Sequence, residues 1–445
     1  MYTLGINATY HDPAACLVRD GQIIAAAEDE RFTHIKHGKR PIPFTTYELP
    51  FHAIDYCLRE AGIVLAEVDH VAYSYDPHLL LGEHSGKPML TLPLEPNAEP
   101  TSSEWESVWD PLFLSSIVNA PRQLADGAPH HLQVRFRGVT HDGPYQWHFV
   151  KHHLAHAASA FLVAPFDRCA VMTLDGRGEK ATTTYGWAEG GQFELLDQVN
   201  MPHSLGLLYE EMTDYLGFLR SSDEYKVMAL ASFGKPRYVD FFREIIQVHG
   251  RGHYTITPTN WEEKFGPRRL RGGPVKQQHY DIAHSLQVVL EERVVELATW
   301  LHREAQSDNL CMAGGVALNC VMNARVRDRS PFKEVWVQPA AGDAGTALGA
   351  AMWIDRRERS NQPQQQMTHA FFGPSYTDDE IEEFLRWSKL PYRKLNNIAE
   401  ETAELLTQDR VIGWFQGRME FGPRALGGRS ILASPIHAEM QARLN

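Results

Sequence analysis

Two stretches of this chain, separated by about 170 residues, carry the same strand pattern, and an internal repeat of that size restricts the fold more than any other feature. In the first, short strands at Leu4–Asn7, Ala14–Arg19 and Gln22–Glu28 follow one another. The last two are joined by Asp20-Gly21, a strong hairpin signal between apolar runs. In the second, an apolar strand from Cys169 ends in Leu174-Asp175-Gly176, another runs Thr182–Ala188, and Gly190-Gly191 turns into Phe193–Val199.

Each unit presents a polar turn at a strand end and is followed by helical sequence, the pattern expected of a duplicated α/β nucleotide-binding fold. The reading is therefore α/β, a duplicated actin-like ATPase-type (ASKHA) domain over residues 1–357. Residues 76–138, with Pro88, Pro93, Pro96 and Pro100 and little periodicity, read as an inserted loop region. The polar, Gln-rich segment 358–367 reads as a linker. Beyond it, Thr377-Asp-Asp-Glu380 forms a capping box, a helix is expected at Ile398–Thr407 and a buried strand at Val411–Phe415. Residues 368–445 thus open a second, smaller α/β domain, expected to be incomplete at a length of about 80 residues.

Several short motifs carry chemistry. In Lys151-His-His-Leu-Ala-His156, His152 and His156 stand four apart, so on a helix they share a face and can bind one metal ion; otherwise they form a polar helix face. A zinc-peptidase reading needs Glu after the first histidine, where His153 stands. Asp343 lies between the strand Val335–Val337 and an Ala-rich helix, either a third ligand at a strand end or a helix N-cap. Two imidazoles and one carboxylate suit Fe(II) and related divalent ions. Asp175-Gly176 and Gly314-Gly315 through Asn319 suit phosphate, directly or through a cation, and Gly314-Gly315 reads equally as a tight turn without ligand. His11, in the loop Asn7–Pro13, is of the type suited to proton transfer near neutral pH. Arg418, Arg424 and Arg429 alternate with four glycines after a strand, a pattern suited to phosphate or carbamoyl phosphate oxygens.

Composition closes off other classes. With 43 Lys and Arg against 56 Asp and Glu, the net charge of −13 argues against nucleic acid and anionic membrane surfaces as partners. The five scattered cysteines contain no C-x-x-C pair, so neither a disulfide framework nor a zinc knuckle is indicated, and the N-terminus lacks signal-peptide character, so a cytoplasmic protein is expected.

Taken in order, these segments resemble the NodU/CmcH family of O-carbamoyltransferases. The matching pieces run from Leu4-Gly-Ile-Asn, Tyr10-His-Asp, Glu28-Asp-Glu-Arg-Phe32 and Lys36-His37 to His152–Phe161, Asp175-Gly, Ser204–Tyr209, Lys226-Val-Met, Gly314–Asn319, Gly342–Gly345 and Phe421–Gly427. The resemblance implies an N-terminal domain like the tRNA threonylcarbamoyl transferase and a C-terminal domain like YrdC. It implies synthesis of carbamoyladenylate from ATP and carbamoyl phosphate, Mg2+ accompanying ATP, and transfer of the carbamoyl group to a hydroxyl in secondary-metabolite or oligosaccharide biosynthesis. Its ligands would be His152, His156 and Asp343, holding Fe(II) or another divalent metal. Its nucleotide loops would contain Asp175, Gly176, Gly314, Gly315 and Asn319, its general base would be His11, and Arg418 and Arg424 would serve carbamoyl phosphate. A homodimer is expected. The chain departs from the family at Gly428, where Asn is usual, and at Ser434-Pro435-Ile436, where Asp-Pro-Arg is usual. The competing readings are a threonylcarbamoyl transferase acting on tRNA, a sugar kinase, which leaves His152 and His156 without a role, and a non-enzymatic nucleotide-dependent scaffold.

Overall fold

The computed structural model describes residues 1–38, 49–81, 110–126, 144–360 and 365–444. They divide into two compact units, Met1–Met367 and Thr368–Asn445.

The first unit is built twice over on one topology. Strands β1 (Tyr2–Asn7), β2 (Ala14–Arg19), β3 (Gln22–Glu28), β4 (His70–Tyr73) and β5 (Gln146–Phe149) form a sheet ordered β3-β2-β1-β4-β5. The first three are antiparallel and the last two join in parallel. Strands β6 (Arg168–Leu174), β7 (Ala181–Glu189) and β8 (Gln192–Asn200) are followed by a small hairpin, β9 (Ile246–Val248) and β10 (Tyr254–Ile256), and by β11 (Asn309–Ala313) and β12 (Glu334–Val337). The second large sheet is ordered β12-β11-β6-β7-β8, the same pattern with the same parallel and antiparallel neighbours. Even the hairpin turns correspond. Asp20 and Gly21 close β2–β3 with φ of 49° and 80°, and Gly190 and Gly191 close β7–β8 with 55° and 78°. Two successive positive φ values match the twist of the flanking strands, which is why these residue types stand there. The duplicated actin-like architecture expected from the repeat is the observed one.

The helices follow from the apolar spacing. Helix α1 (Phe51–Ala61) buries Ala53, Ile54, Tyr56 and Cys57 against the first sheet, and Gly62 ends it in a left-handed cap. Helix α2 (His152–Phe161) is buried along nearly its whole length. Helix α3 (Leu205–Tyr215) is opened by Ser204, whose Oγ accepts from the Leu207 N–H. The 29-residue helix α4 (Gln277–Ala305) buries Ile282, Leu286, Val289, Leu290, Val294, Leu297 and Leu301, a stripe of period near 3.6 lying in the second core. Helix α5 (Cys320–Arg329) follows β11, and α6 (Ala344–Arg359) follows β12.

Two expectations are corrected in this unit. Within 76–138, residues 82–109 and 127–138 lie outside the described residues. Asp110–Val118 and Ala120–Asp126, however, are helices whose Phe113, Leu114, Ile117 and Leu124 enter the first core, where a loop region was expected. The linker expected from 358 begins inside α6, whose last turn is held to Arg359 by its ion pair with Asp355 at 2.6 Å. Gln365 and Met367 then bond back to Ile23 and Val163, so the first unit extends to Met367; residues 361–364 are outside the description.

In the second unit, α7 (Asp378–Ser388) opens on the Thr377/Glu380 capping box, and α8 spans Ile398–Thr407. Strands β13 (Ile412–Phe415) and β14 (Arg429–Leu432) pair as a two-stranded ribbon. The expectation of a buried strand at Val411–Phe415 is corrected: a ribbon of two strands covers neither face fully, and Val411, Gly413 and Phe415 are exposed.

Candidate functional site

Four strand ends deliver the site in the first unit. The loop after β1 brings His11 and Asp12, that after β6 brings Asp175, that after β11 brings Gly314 and Gly315, and that after β12 brings Asp343. Helix α2 adds His152 and His156 from one face, as their spacing of four requires.

The two imidazoles and two carboxylates converge in a fully interior cluster, their nearest ligand atoms lying within 4.8 Å of one another. His152 Nε2 lies 3.4 Å from Asp175 Oδ2 and 3.6 Å from Asp343 Oδ1; His156 Nε2 lies 3.8 Å and 3.6 Å from the same atoms. These separations exceed good hydrogen bonds, and among the described residues neither Nε2 atom and neither Asp343 oxygen has a hydrogen-bond partner. Buried polar atoms are costly when unmatched, so such a group arranged around a common point fits a cation.

The tautomer supports that fit. His152 Nδ1–H donates to the Ser74 carbonyl at 3.2 Å, which turns Nε2 inward. Burial opposes charging of His152, but Asp175 and Asp343 outweigh it and hold its pKa well above the ordinary imidazole value. Asp343 occupies the N-cap position of α6 without a side-chain cap bond, leaving its carboxylate to the cluster. The sequence places Asp175 in a candidate nucleotide loop. Its Oδ1 accepts the Gly315 N–H at 2.6 Å, tying the β6 and β11 loops together, while Oδ2 faces the imidazoles as a fourth member of the set. His153 points away to Thr173 Oγ1 at 2.7 Å, and burial pushes its pKa down to about 3.

The loops are shaped by close approach. Gly314 has φ of 97°, and a Cβ there would overlap the Leu174 carbonyl. Gly176 lies beside the N-terminus of α3, with Ser204 Oγ–H donating to the Gly176 carbonyl at 2.6 Å. The Asn319 side chain caps α5 through the Met322 N–H and donates to Gln287 Oε1 at 2.8 Å, so it shapes this loop from behind.

His11 stands at the rim, its side chain 26% exposed, with Nδ1 2.9 Å from Asp12 Oδ2 and 3.8 Å from Asp343 Oδ2. Asp12 Oδ1 also receives His37 Nδ1 at 2.6 Å. Burial works against the Asp12 carboxylate, yet His11 and His37 hold its pKa far below the usual carboxylate range. Sequence reasoning missed Asp12, His37, Ser74, Tyr10 and Glu179. Glu179 Oε1 accepts the His152 N–H at 2.9 Å and the Asp76 N–H at 2.8 Å. Tyr10 stacks on Phe113 at 5.2 Å and donates to the Gly178 carbonyl at 2.9 Å. Tyr10-His-Asp and Lys36-His37 were visible as motifs, but nothing in their spacing announces that 25 residues of chain bring His37 onto Asp12.

In the second unit, Arg418 donates through Nε to the Gly373 carbonyl at 3.1 Å and through Nη2 to the Phe372 carbonyl at 2.8 Å. Arg424 is exposed on the loop. That loop is organised by Glu420, buried, whose Oε1 accepts from the N–H groups of Leu426 at 2.6 Å and Gly428 at 2.8 Å, while Oε2 takes Arg429 Nε at 3.1 Å. A Cβ at Gly428 would come within 2.8 Å of the Arg418 carbonyl and 3.2 Å of the Glu420 carboxyl, which accounts for glycine here.

A duplicated actin-like α/β domain with a buried two-histidine, two-carboxylate set at its strand ends is the class of protein that fold and site define. The family described as Carbamoyltransferase N-terminus matches residues 2–81 and 132–352, and that described as Carbamoyltransferase C-terminus matches 403–445. The chain belongs to the carbamoyltransferase family. An uncharacterized protein of Synechocystis, sll1178, is 39% identical over 100% of this chain and 73% of its own length. Nodulation protein NolNO of Sinorhizobium fredii is 34% identical over 99% of this chain and 60% of its own. The 3'-hydroxymethylcephem-O-carbamoyltransferase of Streptomyces clavuligerus is 31% identical over 54% and 44%. The chain thus spans about three fifths of NolNO and under half of the cephem enzyme. Among solved structures, full-length HypF in its phosphate- and nucleotide-bound form covers 81% of this chain and 56% of its own at 12% identity, with a TM-score of 0.42. No described helix is long and apolar enough to cross a membrane.

Proposed function

We propose that the chain is an ATP-dependent O-carbamoyltransferase, forming carbamoyladenylate from ATP and carbamoyl phosphate and transferring the carbamoyl group to a hydroxyl of a small natural product or oligosaccharide. The observation that carries this reading is the meeting, at the strand ends of both halves, of an imidazole at the rim with a buried ligand set behind it. Family membership and the relative named as acting on a 3'-hydroxymethylcephem support the group transferred and the kind of atom that receives it.

His152, His156 and Asp343, with Asp175 beside them, would hold Fe(II) or another divalent ion. When bound, such an ion neutralises phosphate charge on the nucleotide. Gly176, Gly314 and Gly315 let backbone approach that nucleotide, and Asn319 holds the loop's shape. His11 takes the proton of the acceptor hydroxyl. Arg418 and Arg424 supply positive charge for carbamoyl phosphate in the second unit.

The test supplies synthetic carbamoyladenylate to the chain with a panel of aminoglycosides, oligosaccharides, β-lactam alcohols and macrolide precursors. AMP release and mass spectrometry of the alcohol are followed. A carbamate ester formed in step with AMP is the expected result. Absence of transfer to every alcohol, with nucleotide binding intact, would overturn the reading.

A further inference from the structure

The loop Asn7–Pro13 is held in a conformation that side chains rarely adopt. Tyr10 and Asp12 have φ of 53° and 52°, and His37, which faces them, has 59°. Left-handed backbone is costly at non-glycine residues, and it persists where surrounding bonds over-determine it. Those bonds are present. Asn7, fully buried, donates through Nδ2 to the carbonyls of His11 at 3.0 Å and Asp12 at 2.9 Å. The Asp12 N–H donates to the His37 carbonyl at 3.1 Å, and the His37 N–H donates to Glu30 Oε2 at 2.7 Å. What this architecture fixes is one carboxylate, Asp12, with Oδ2 on His11 Nδ1 and Oδ1 on His37 Nδ1.

We propose that Asp12 and His37 are positioning residues for His11: Asp12 fixes the His11 proton on Nδ1, and His37 locks Asp12 in the orientation that does so. This rests on the carbamoyl-transfer reading above. A carboxylate accepts from Nδ1–H, and Asp12 Oδ2 lies 2.9 Å from His11 Nδ1, so the ring presents Nε2 as its basic atom. His37 supplies a second hydrogen bond that holds an otherwise rotatable carboxylate against His11.

Asp12 and His37 also lie close to Glu30, and the three offer ligand atoms near enough together for a metal ion. Their hydrogen bonds argue against it. Glu30 is committed to the His37 N–H and to Arg31 Nη1 at 2.8 Å, and both Asp12 oxygens are committed to imidazoles.

In the transfer step, the acceptor oxygen bonds to the carbamoyl carbon and its proton passes to His11 Nε2. The bond from that carbon to the AMP phosphate oxygen breaks, and carbamate ester and AMP leave. With its proton on Nε2 instead, the ring keeps its lone pair on Nδ1, against Asp12, and has none on Nε2 for the hydroxyl proton.

Two readouts test this on the full chain. The first is the ring-nitrogen NMR signal of His11 in the metal-free protein, which reports the tautomer. The second is AMP release from carbamoyladenylate with the fastest alcohol of the panel. Asp12→Asn presents an amide donor to His11; it should move the proton to Nε2 and lower kcat by about 10² or more with KM nearly unchanged. His37→Ala should lower kcat, and His37→Asn, which restores a donor near the Nδ1 position, should recover much of that loss. A merely structural role would not distinguish Asn from Ala in this way. Unchanged tautomer and kcat in Asp12→Asn would overturn the proposal, as would equal losses in both His37 variants. If the wild-type chain releases no AMP, the transfer reading falls, and the tautomer measurement still decides whether Asp12 orients His11.

Discussion

At His152, one backbone carbonyl decides which nitrogen faces the carboxylates. Because Ser74 takes Nδ1–H, Nε2 joins His156, Asp175 and Asp343 around a shared centre. We expect His152→Ala combined with His156→Ala to abolish stoichiometric divalent metal, measured by elemental analysis after loading; undiminished metal would place the site elsewhere. A second imidazole makes stability depend on pH. Arg357 donates to His148 Nδ1 at 3.1 Å, so His148 offers its remaining N–H to His70 Nδ1 at 3.0 Å and is neutral in this arrangement. Burial, then Arg357 and His70, lower its pKa. The unfolded chain therefore binds this proton first as pH falls, so stability holds above the ordinary imidazole pKa of about 6.5 and declines below it. His148→Gln should flatten that decline in urea melts between neutral and mildly acidic pH, and an unchanged slope would show that His148 does not contribute. At this scale the sequence was legible where spacing fixes geometry, as in His152 and His156. It was silent where a partner arrives from far along the chain, as with Ser74, 78 residues before His152.

The elements show what holds the ligands in register. Helix α6 begins immediately after Asp343 and crosses α2, which carries both histidines. The crossing is close because Gly349 lies against the Ala155 carbonyl, where a Cβ would overlap it, and Gly5 lies in the same way against the Ala347 carbonyl. Gly349→Ala should therefore cost about 1 to 3 kcal/mol in chemical denaturation and weaken metal affinity, because the strain acts on the backbone between His152 and His156. An alanine variant of wild-type stability and metal affinity would show that the helices can separate without cost. The element boundaries legible in the sequence were those with local chemistry: Asp20-Gly21, Gly190-Gly191, the Thr377 capping box, and the Ala-rich run of α6. What local chemistry does not encode is the number of strands beside a given one. Val411–Phe415 reads as a buried strand by composition, but β14 is the neighbour it pairs with and its outer positions remain exposed. Likewise Phe113 and Ile117 lie in a Pro- and Ser-containing region whose composition conceals two helices that enter the first core.

For the whole molecule, the two halves contribute different residues to one candidate site. A single half supplies either His11 from the loop after β1, or Asp175, Gly315 and Asp343 from the loops after β6, β11 and β12, and neither alone surrounds the site. The matched turns at residues 20–21 and 190–191 keep the two hairpins alike while the strand-end loops differ. Every residue of the candidate ligand set and candidate nucleotide loops lies before Met367, within a unit that has hydrophobic cores of its own. Residues 1–367 produced alone should therefore fold cooperatively, retain the divalent ion, and bind ATP with an affinity within about tenfold, or about 1.4 kcal/mol, of that of the full chain. Calorimetric titration of metal-loaded protein measures the affinity, and elemental analysis measures the ion independently. Retention of the ion with loss of ATP binding would show that the second unit contributes to the nucleotide site, and loss of both would show that the first unit does not complete its own core.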